Sequence, residues 1–322
     1  MITRRHLAAL PLLAALPRPA LAQDWAPTRP VRIVVGFAAG GATDISTRTL
    51  APKLQAILGQ PIVVDNRPGA GGNLATEAVV RAAPDGTTLL MGTIGALAIN
   101  PTLYRSLPFN PQADLTPIAM AGSVLNVLVI PADRPWQNVA DLVAAARARP
   151  DTLSYGSSGV GGAGHLAGAL LDRMAGVRTV HVPYRGGGPL MTDLISGKTD
   201  FAFSTAPTAL PQVEGGRLRA LAVVTAQRSA LLPNLPTVAE TLPGYEVANW
   251  YALVGPKGLA PNIVARLNAA MRETMEDAEV RAHLARHGVE PLPGSAEDLA
   301  RFIREETAKW APIVRESGAT VD

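Results

Sequence analysis

The chemistry this sequence offers lies in its glycine-rich turns. Two of them, Gly40-Gly41-Ala42-Thr43 and Gly161-Gly162-Ala163-Gly164, each follow a short strand-like run, Val31–Val35 and Leu153–Tyr155, and open a helical stretch. A strand that turns through glycines into a helix presents unpaired backbone N–H groups at the positive end of the helix dipole, which favours an anion. Glycine also leaves the backbone open to close approach. Facing each other across a cleft, the two turns would hold the oxygens of a carboxylate without a full counter-charge. Each helix end would contribute about 0.3–1 kcal/mol when exposed and up to about 2 when partly buried. Hydroxyls of Thr43, Thr93, Ser158 and Thr205 could donate further bonds from the same loops. Two titratable side chains stand nearby in sequence: His165 at a helix start, and Arg185 after a strand and before three glycines. Arg185 would attract any anionic ligand at every physiological pH. His165 reads either as a ligand contact or as a brace for the glycine loop. Thr43 and Asp44 fit equally as plain caps of the first helix, Thr93 as a satisfied turn residue, and Trp250 as hinge packing or a cleft wall.

Enzymatic readings find less support. The chain has no cysteine, which removes thiolate nucleophiles, thiolate metal sites and disulfides together. Its five histidines include one pair at i,i+4 spacing, His283 and His287, with no cysteine beside them to complete a structural zinc site. Gly156-Ser157-Ser158-Gly159 lacks the spacing of a nucleophile elbow, and His165 follows Ser158 too closely to be taken as its base. Gly159-Val160-Gly161-Gly162-Ala163-Gly164 does satisfy the dinucleotide pattern, between a strand and a helix. The next strand ends at Pro183-Tyr184-Arg185, with no acid for the ribose hydroxyls but an arginine that suits a 2′-phosphate. An exported NADP-dependent oxidoreductase built on 159–164 is therefore the alternative to a binding protein without cofactor, metal or catalysis.

The elements that must position these groups can be read along the chain. Residues 1–22 form an export leader: a basic start at Arg4-Arg5, an apolar Leu7–Leu16 core too short to span a bilayer, and Ala20-Leu21-Ala22 as the cleavage site. The mature protein would begin at Gln23 in the periplasm, and Thr3-Arg4-Arg5-His6-Leu7 also suits the twin-arginine route. The formal charge is +3, from 29 basic and 26 acidic side chains; without the three leader arginines it is zero. No basic block remains to drive nucleic-acid binding, and a monomer is expected. Gly86–Tyr104 and Leu115–Ala132 lack charge, but glycine, proline and asparagine interrupt both, as in buried strands joined by turns.

From Val31 onward a short β-branched run, a glycine-rich turn and a helix recur. This predicts an α/β protein with two mainly parallel sheets flanked by helices. Ile118–Ile130 and Val247–Val254 are the candidate crossings between sheets. They divide the chain into one lobe of 25–120 plus 252–322 and another of 121–251. A last helix opens at Ser295, with Asp298 at the capping-box position, and stops at Gly318.

The motifs resemble one family throughout. Gly36-Phe37-Ala38-Ala39-Gly40-Gly41-Ala42-Thr43-Asp44 resembles the first loop of the Bug/TctC-type extracytoplasmic solute receptors, the binding proteins of tripartite tricarboxylate transporters. The likeness continues through Asp65-Asn66-Arg67-Pro68-Gly69-Ala70-Gly71-Gly72, Pro84-Asp85-Gly86 and Ile99-Asn100-Pro101-Thr102-Leu103-Tyr104. It runs on through Gly156-Ser157-Ser158-Gly159, His165-Leu166-Ala167 and Val182-Pro183-Tyr184-Arg185-Gly186, in order along nearly the whole mature chain. The resemblance implies a two-lobed periplasmic-binding-protein-like fold with a small carboxylate in the cleft, and membrane subunits of a transporter as partners. It adds Phe37 to the expected site beside Gly41, Ala42, Gly161, Gly162 and Ala163. Gly36 and Ala39 stand where the family commonly has proline, and Ile94 where it frequently has a polar residue.

Overall fold

Four buried β-branched residues in the run Val31–Val35 make the first strand, β1, which lies inside its sheet between two parallel neighbours. The computed structural model describes residues 25–316, so the leader and Gly318 lie outside the described residues. After β1 come α1 (Ala42–Leu58), β2 (Ile62–Asn66), α2 (Asn73–Val80), β3 (Thr88–Thr93), the short helices α3 (Asn100–Leu103) and α4 (Pro111–Asp114), and β4 (Leu115–Val124). The chain then forms β5 (Asn126–Pro131), α5 (Val139–Ala148), β6 (Ser154–Ser157), α6 (Ala163–Ala175), β7 (Val180–Pro183), α7 (Gly187–Ile195), β8 (Phe201–Thr205), α8 (Ala206–Glu214) and β9 (Leu218–Val223). It returns through β10 (Trp250–Pro256), α9 (Pro261–Glu276), α10 (Ala278–Arg286), β11 (Val289–Glu290) and α11 (Ala296–Glu316).

Two sheets result, with strand orders β11-β4-β10-β3-β1-β2 and β7-β6-β8-β5-β9. The α/β class with two helix-flanked sheets is as expected, but the sheets are mixed rather than mainly parallel. Pairing is parallel among β2, β1 and β3 and among β7, β6 and β8, where strand–helix–strand units return in the same sense. It is antiparallel around β10 and β4, and around β5. Those strands carry the chain from one sheet to the other, so they enter against the direction of the repeats. The glycine-rich turns therefore all leave the parallel strands at their carboxyl ends, where open α/β sheets bind ligands.

The changeover from β4 to β5 occurs at Leu125, and the return runs through 247–249 into β10. The two crossings lie side by side. Val124 N–H donates to the Asn249 carbonyl at 2.9 Å, and the Asn249 side-chain amide donates to Asn126 Oδ1 at 2.8 Å. Trp250 is fully buried behind this pair, with its indole N–H on Glu306 of α11 at 2.9 Å, so it packs the hinge region. Trp310 donates to the same carboxylate at 3.2 Å. The Ser295 and Asp298 side chains and backbones bond reciprocally, forming the expected start of α11. Among the described residues, no helix is long and apolar enough to cross a membrane.

Candidate functional site

The two glycine turns are near copies of each other. Gly40 and Gly161 both have positive φ (77° and 80°), which favours glycine. Gly41 and Gly162, the helix N-caps, are extended, with φ/ψ of −78°/164° and −76°/163°. Each cap N–H reaches back to a carbonyl three residues earlier, Gly41 to Ala38 at 3.2 Å and Gly162 to Gly159 at 3.4 Å. Each turn is also tied to the side chain four residues ahead: Gly40 N–H donates to Asp44 Oδ2 at 2.9 Å, and Gly161 N–H to His165 Nδ1 at 3.2 Å. The shared pattern in sequence is Gly-Gly-Ala-x-Asp and Gly-Gly-Ala-x-His. No side chain caps either helix, so first-turn N–H groups of α1 and α6 are left for a ligand.

These helix starts meet at one cavity between the sheets, with about 480 Å³ of space not filled by protein, part of it open to solvent. Phe37, Gly41, Ala42, Thr43, Thr93, Ser158, Gly162, Ala163 and Thr205, all named from sequence, line it. Gly164, which closes the second turn, lines it too; sequence reasoning missed Asn126, Asn249, Tyr251, Phe203, Gly95 and Gly187, and Ile94 entered it only as a departure from the family pattern. Among the described residues, no charged side chain lines the cavity. Several of its polar side chains are already engaged: Asn126 with Asn249, Thr205 with Thr208 at 3.2 Å, and Thr43 with Tyr251. Burial pushes the Tyr251 hydroxyl up to about 12, against the bond from Thr43, so it stays protonated.

Thr93 is different. It is 7% exposed, and its hydroxyl is buried without a hydrogen-bond partner. Leaving such a group unsatisfied costs about 1–3 kcal/mol. Thr93→Val keeps the shape and removes the orphaned hydroxyl. The ligand-free variant should melt at the same or a higher temperature, while calorimetry should show about tenfold weaker carboxylate binding. Lower stability with unchanged affinity would place the hydroxyl's partner inside the protein.

Gly161, His165 and Arg185 do not line this cavity. Gly161 faces Asn100 of the other sheet: a Cβ there would lie 2.2 Å from Asn100 Oδ1. Arg185 is exposed at a neighbouring cavity. His165 is 8% exposed and stacks on His181 with ring centroids 4.2 Å apart. It holds the second turn as Asp44 holds the first. Burial raises the Asp44 pKa, but bonds from Arg48, Gly40 N–H and Asn66 outweigh this and keep its carboxyl below the ordinary range. Asp44 does not line the cavity, so its charge is spent on the turn.

Burial lowers the His165 pKa to about 4, and burial with the nearby His165 lowers that of His181 to about 3. Unfolded, both would take a proton near pH 6.5. The unfolded state thus binds more protons between these limits. This contribution to stability is full above about pH 6.5 and is lost as pH falls toward 4. Melting temperature should drop with acidification across that window, and less steeply in His165→Gln or His181→Gln. Ligand affinity should stay flat between about pH 7.5 and about pH 5.5, because neither imidazole changes charge in the folded protein. Affinity that rises steeply on acidification and is flattened only by His165→Gln would instead make His165 a ligand contact.

Two enzyme-like features have structural explanations. Ser157 Oγ lies 2.7 Å from His181 Nε2, but Ser157 is fully buried and does not line the cavity. The glycine loop 159–164 has Asn100, Leu103 and Gly95 packed against it at Gly161. No cluster of three or more metal-ligating side chains occurs among the described residues.

Comparison with known proteins agrees with the motifs. The model for the "Tripartite tricarboxylate transporter family receptor" matches residues 46–319. Protein BugT of Bordetella pertussis is 36% identical over 298 residues, covering 92% of this chain and 91% of that one. A Rhodopseudomonas palustris protein solved with adipate has a TM-score of 0.89 at 38% identity, covering 92% of this chain and all of that one. MatC from the same organism, solved with bound malate, has a TM-score of 0.85 at 32% identity over 89% of this chain and 99% of that one.

Proposed function

The chain belongs to the tripartite tricarboxylate transporter family of receptors, and on that premise we propose that it captures a small organic acid between two lobes. The six-stranded sheet and its helices form one lobe and the five-stranded sheet with its helices the other; β4 and β10 carry the first lobe on to Val124 and back from Trp250, beyond the 120 and 252 expected from sequence. Residues 1–22 direct export and are removed, so the receptor works in the periplasm as a monomer and hands its acid to membrane subunits of a tripartite tricarboxylate-type transporter. It does no chemistry on the acid.

The observation that carries this reading is the duplicated turn. Two uncapped helix starts of the same conformation face one cavity that has no charged side chain. A carboxylate supplies the acceptors those N–H groups lack, and Thr93 adds a free hydroxyl. Adipate and malate, in the solved relatives, are both small carboxylates. With contacts on both lobes, the ligand favours the closed arrangement. The test is a thermal-shift panel of small acids on protein beginning at Gln23, followed by recovery of the acid. Stabilisation with the acid recovered unchanged supports the receptor; turnover of the acid overturns it.

A further inference from the structure

The end of α10 carries a pair of side chains that the cleft does not use. His283 and His287 stand one helical turn apart, so they project from the same face, and their ring centroids are 4.8 Å apart with a tilt of 54°. Both are only partly buried. A hydroxyl of α1 sets the proton of the first ring. Thr49 Oγ1 has one hydrogen to give, and it donates to the Ile45 carbonyl at 2.9 Å. The same oxygen lies 3.1 Å from His283 Nδ1, where it must then accept. In the neutral imidazole this places the proton on Nδ1 and leaves Nε2 bare. Burial, and after it His283 and Arg286, lower the His287 pKa against the opposing charge of Glu214, so that ring is neutral at pH 7.

We propose that His283 and His287 chelate a late first-row divalent cation, with water in its remaining positions. Imidazole nitrogen suits copper, nickel and zinc, whereas magnesium and calcium require oxygen ligands, and Cu²⁺ heads the affinity order. Thr49 acts on the nitrogen that does not bind metal, orienting the ring and making Nε2 a better donor. Among the described residues no third histidine, cysteine or carboxylate completes a cage, so the ion would stay exchangeable, unlike a closed structural zinc. The pair also sits where the two sheets meet. The carbonyl of the next residue, Gly288, accepts the Leu125 N–H at 2.9 Å at the changeover between sheets. A Cβ on Gly288 would lie 2.5 Å from Ala206 Cβ at the start of α8. A bound ion would therefore stiffen the end of α10 against this seam. None of this depends on which acid the cleft takes.

The test titrates Cu²⁺ into untagged protein beginning at Gln23, stripped with EDTA and held in a buffer that does not bind copper. Calorimetry should give one Cu²⁺ per chain with micromolar affinity, and electron paramagnetic resonance should show coupling to two imidazole nitrogens. His283→Gln and His287→Gln should each weaken binding at least about tenfold, and Thr49→Val, which leaves both ligands in place, about tenfold. Far-ultraviolet circular dichroism checks that the helices persist in each variant. Ni²⁺ and Zn²⁺ should bind the same pair more weakly than Cu²⁺, and Mg²⁺ not at all. Absence of micromolar copper binding in wild type, or full copper affinity in either single histidine variant, overturns the chelating pair.

Discussion

Gly161→Ala should yield a folded protein that binds its acid at least about a hundredfold more weakly, a loss near 2.7 kcal/mol. The φ of +80° costs an alanine about 1 kcal/mol, which a protein of this size tolerates. Contact across the cleft is the larger problem. The new Cβ would lie 2.2 Å from Asn100 Oδ1 and 2.8 Å from Leu103 Cδ2, both on segments belonging to the other sheet. In the proposed closure of the two lobes this contact forms as they come together, so the substitution is expected to act on closure. Gly71→Ala makes the same test from the other side and away from α6, since its Cβ would lie 2.5 Å from the Val160 carbonyl. Both variants should fail to contract on adding acid in small-angle scattering, where wild type contracts. Full affinity in both would show that binding does not require this approach of the lobes.

Gly162→Asp separates helix stability from ligand binding. Gly162 has an ordinary φ of −76°, and a Cβ there would meet only Gly159 O at 3.5 Å and Ser158 Oγ at 3.9 Å. Aspartate is a good N-cap, better than glycine by a few tenths of a kcal/mol, so the melting temperature should hold or rise slightly. Yet its carboxylate would take the N–H groups that the ligand needs and repel the ligand's charge. Binding should fall below detection by calorimetry. Retained affinity would make the second glycine loop purely structural.

Much of this was legible in the chain because the loops are local. Gly40–Thr43 and Gly161–Gly164 sit between a strand run and a helix run, and that order alone puts them at the carboxyl ends of parallel strands. The duplicated brace was visible too, as Gly-Gly-Ala followed two residues later by Asp44 or His165. It becomes a signal only once both side chains are seen to accept the same glycine N–H. Asn126 and Asn249 were harder. They lie 123 residues apart and meet only because the two crossings run side by side. An amide inside an otherwise apolar crossing was the available clue. Tyr251 and Phe203 lie in apolar strand runs, and a strand's periodicity does not say which face borders a cavity. Arg185 was placed near the cleft by its motif, but its separation from the inner cavity depends on how Phe37 and Ser158 divide the space.

The central claim is that backbone N–H groups at two helix starts hold the carboxylate. Amide NMR of protein labelled with ¹⁵N at alanine and glycine reads those groups directly, during titration with adipate or with whichever panel acid stabilises most. Ala42 and Gly41 at one helix start, and Ala163, Gly162 and Gly164 at the other, should shift together with one dissociation constant. Alanines remote from the cleft, such as Ala56 in α1, should stay still. Shifts confined to the groove by Ala56, where Lys53 pairs with Asp277, with both helix starts unmoved, would contradict the account.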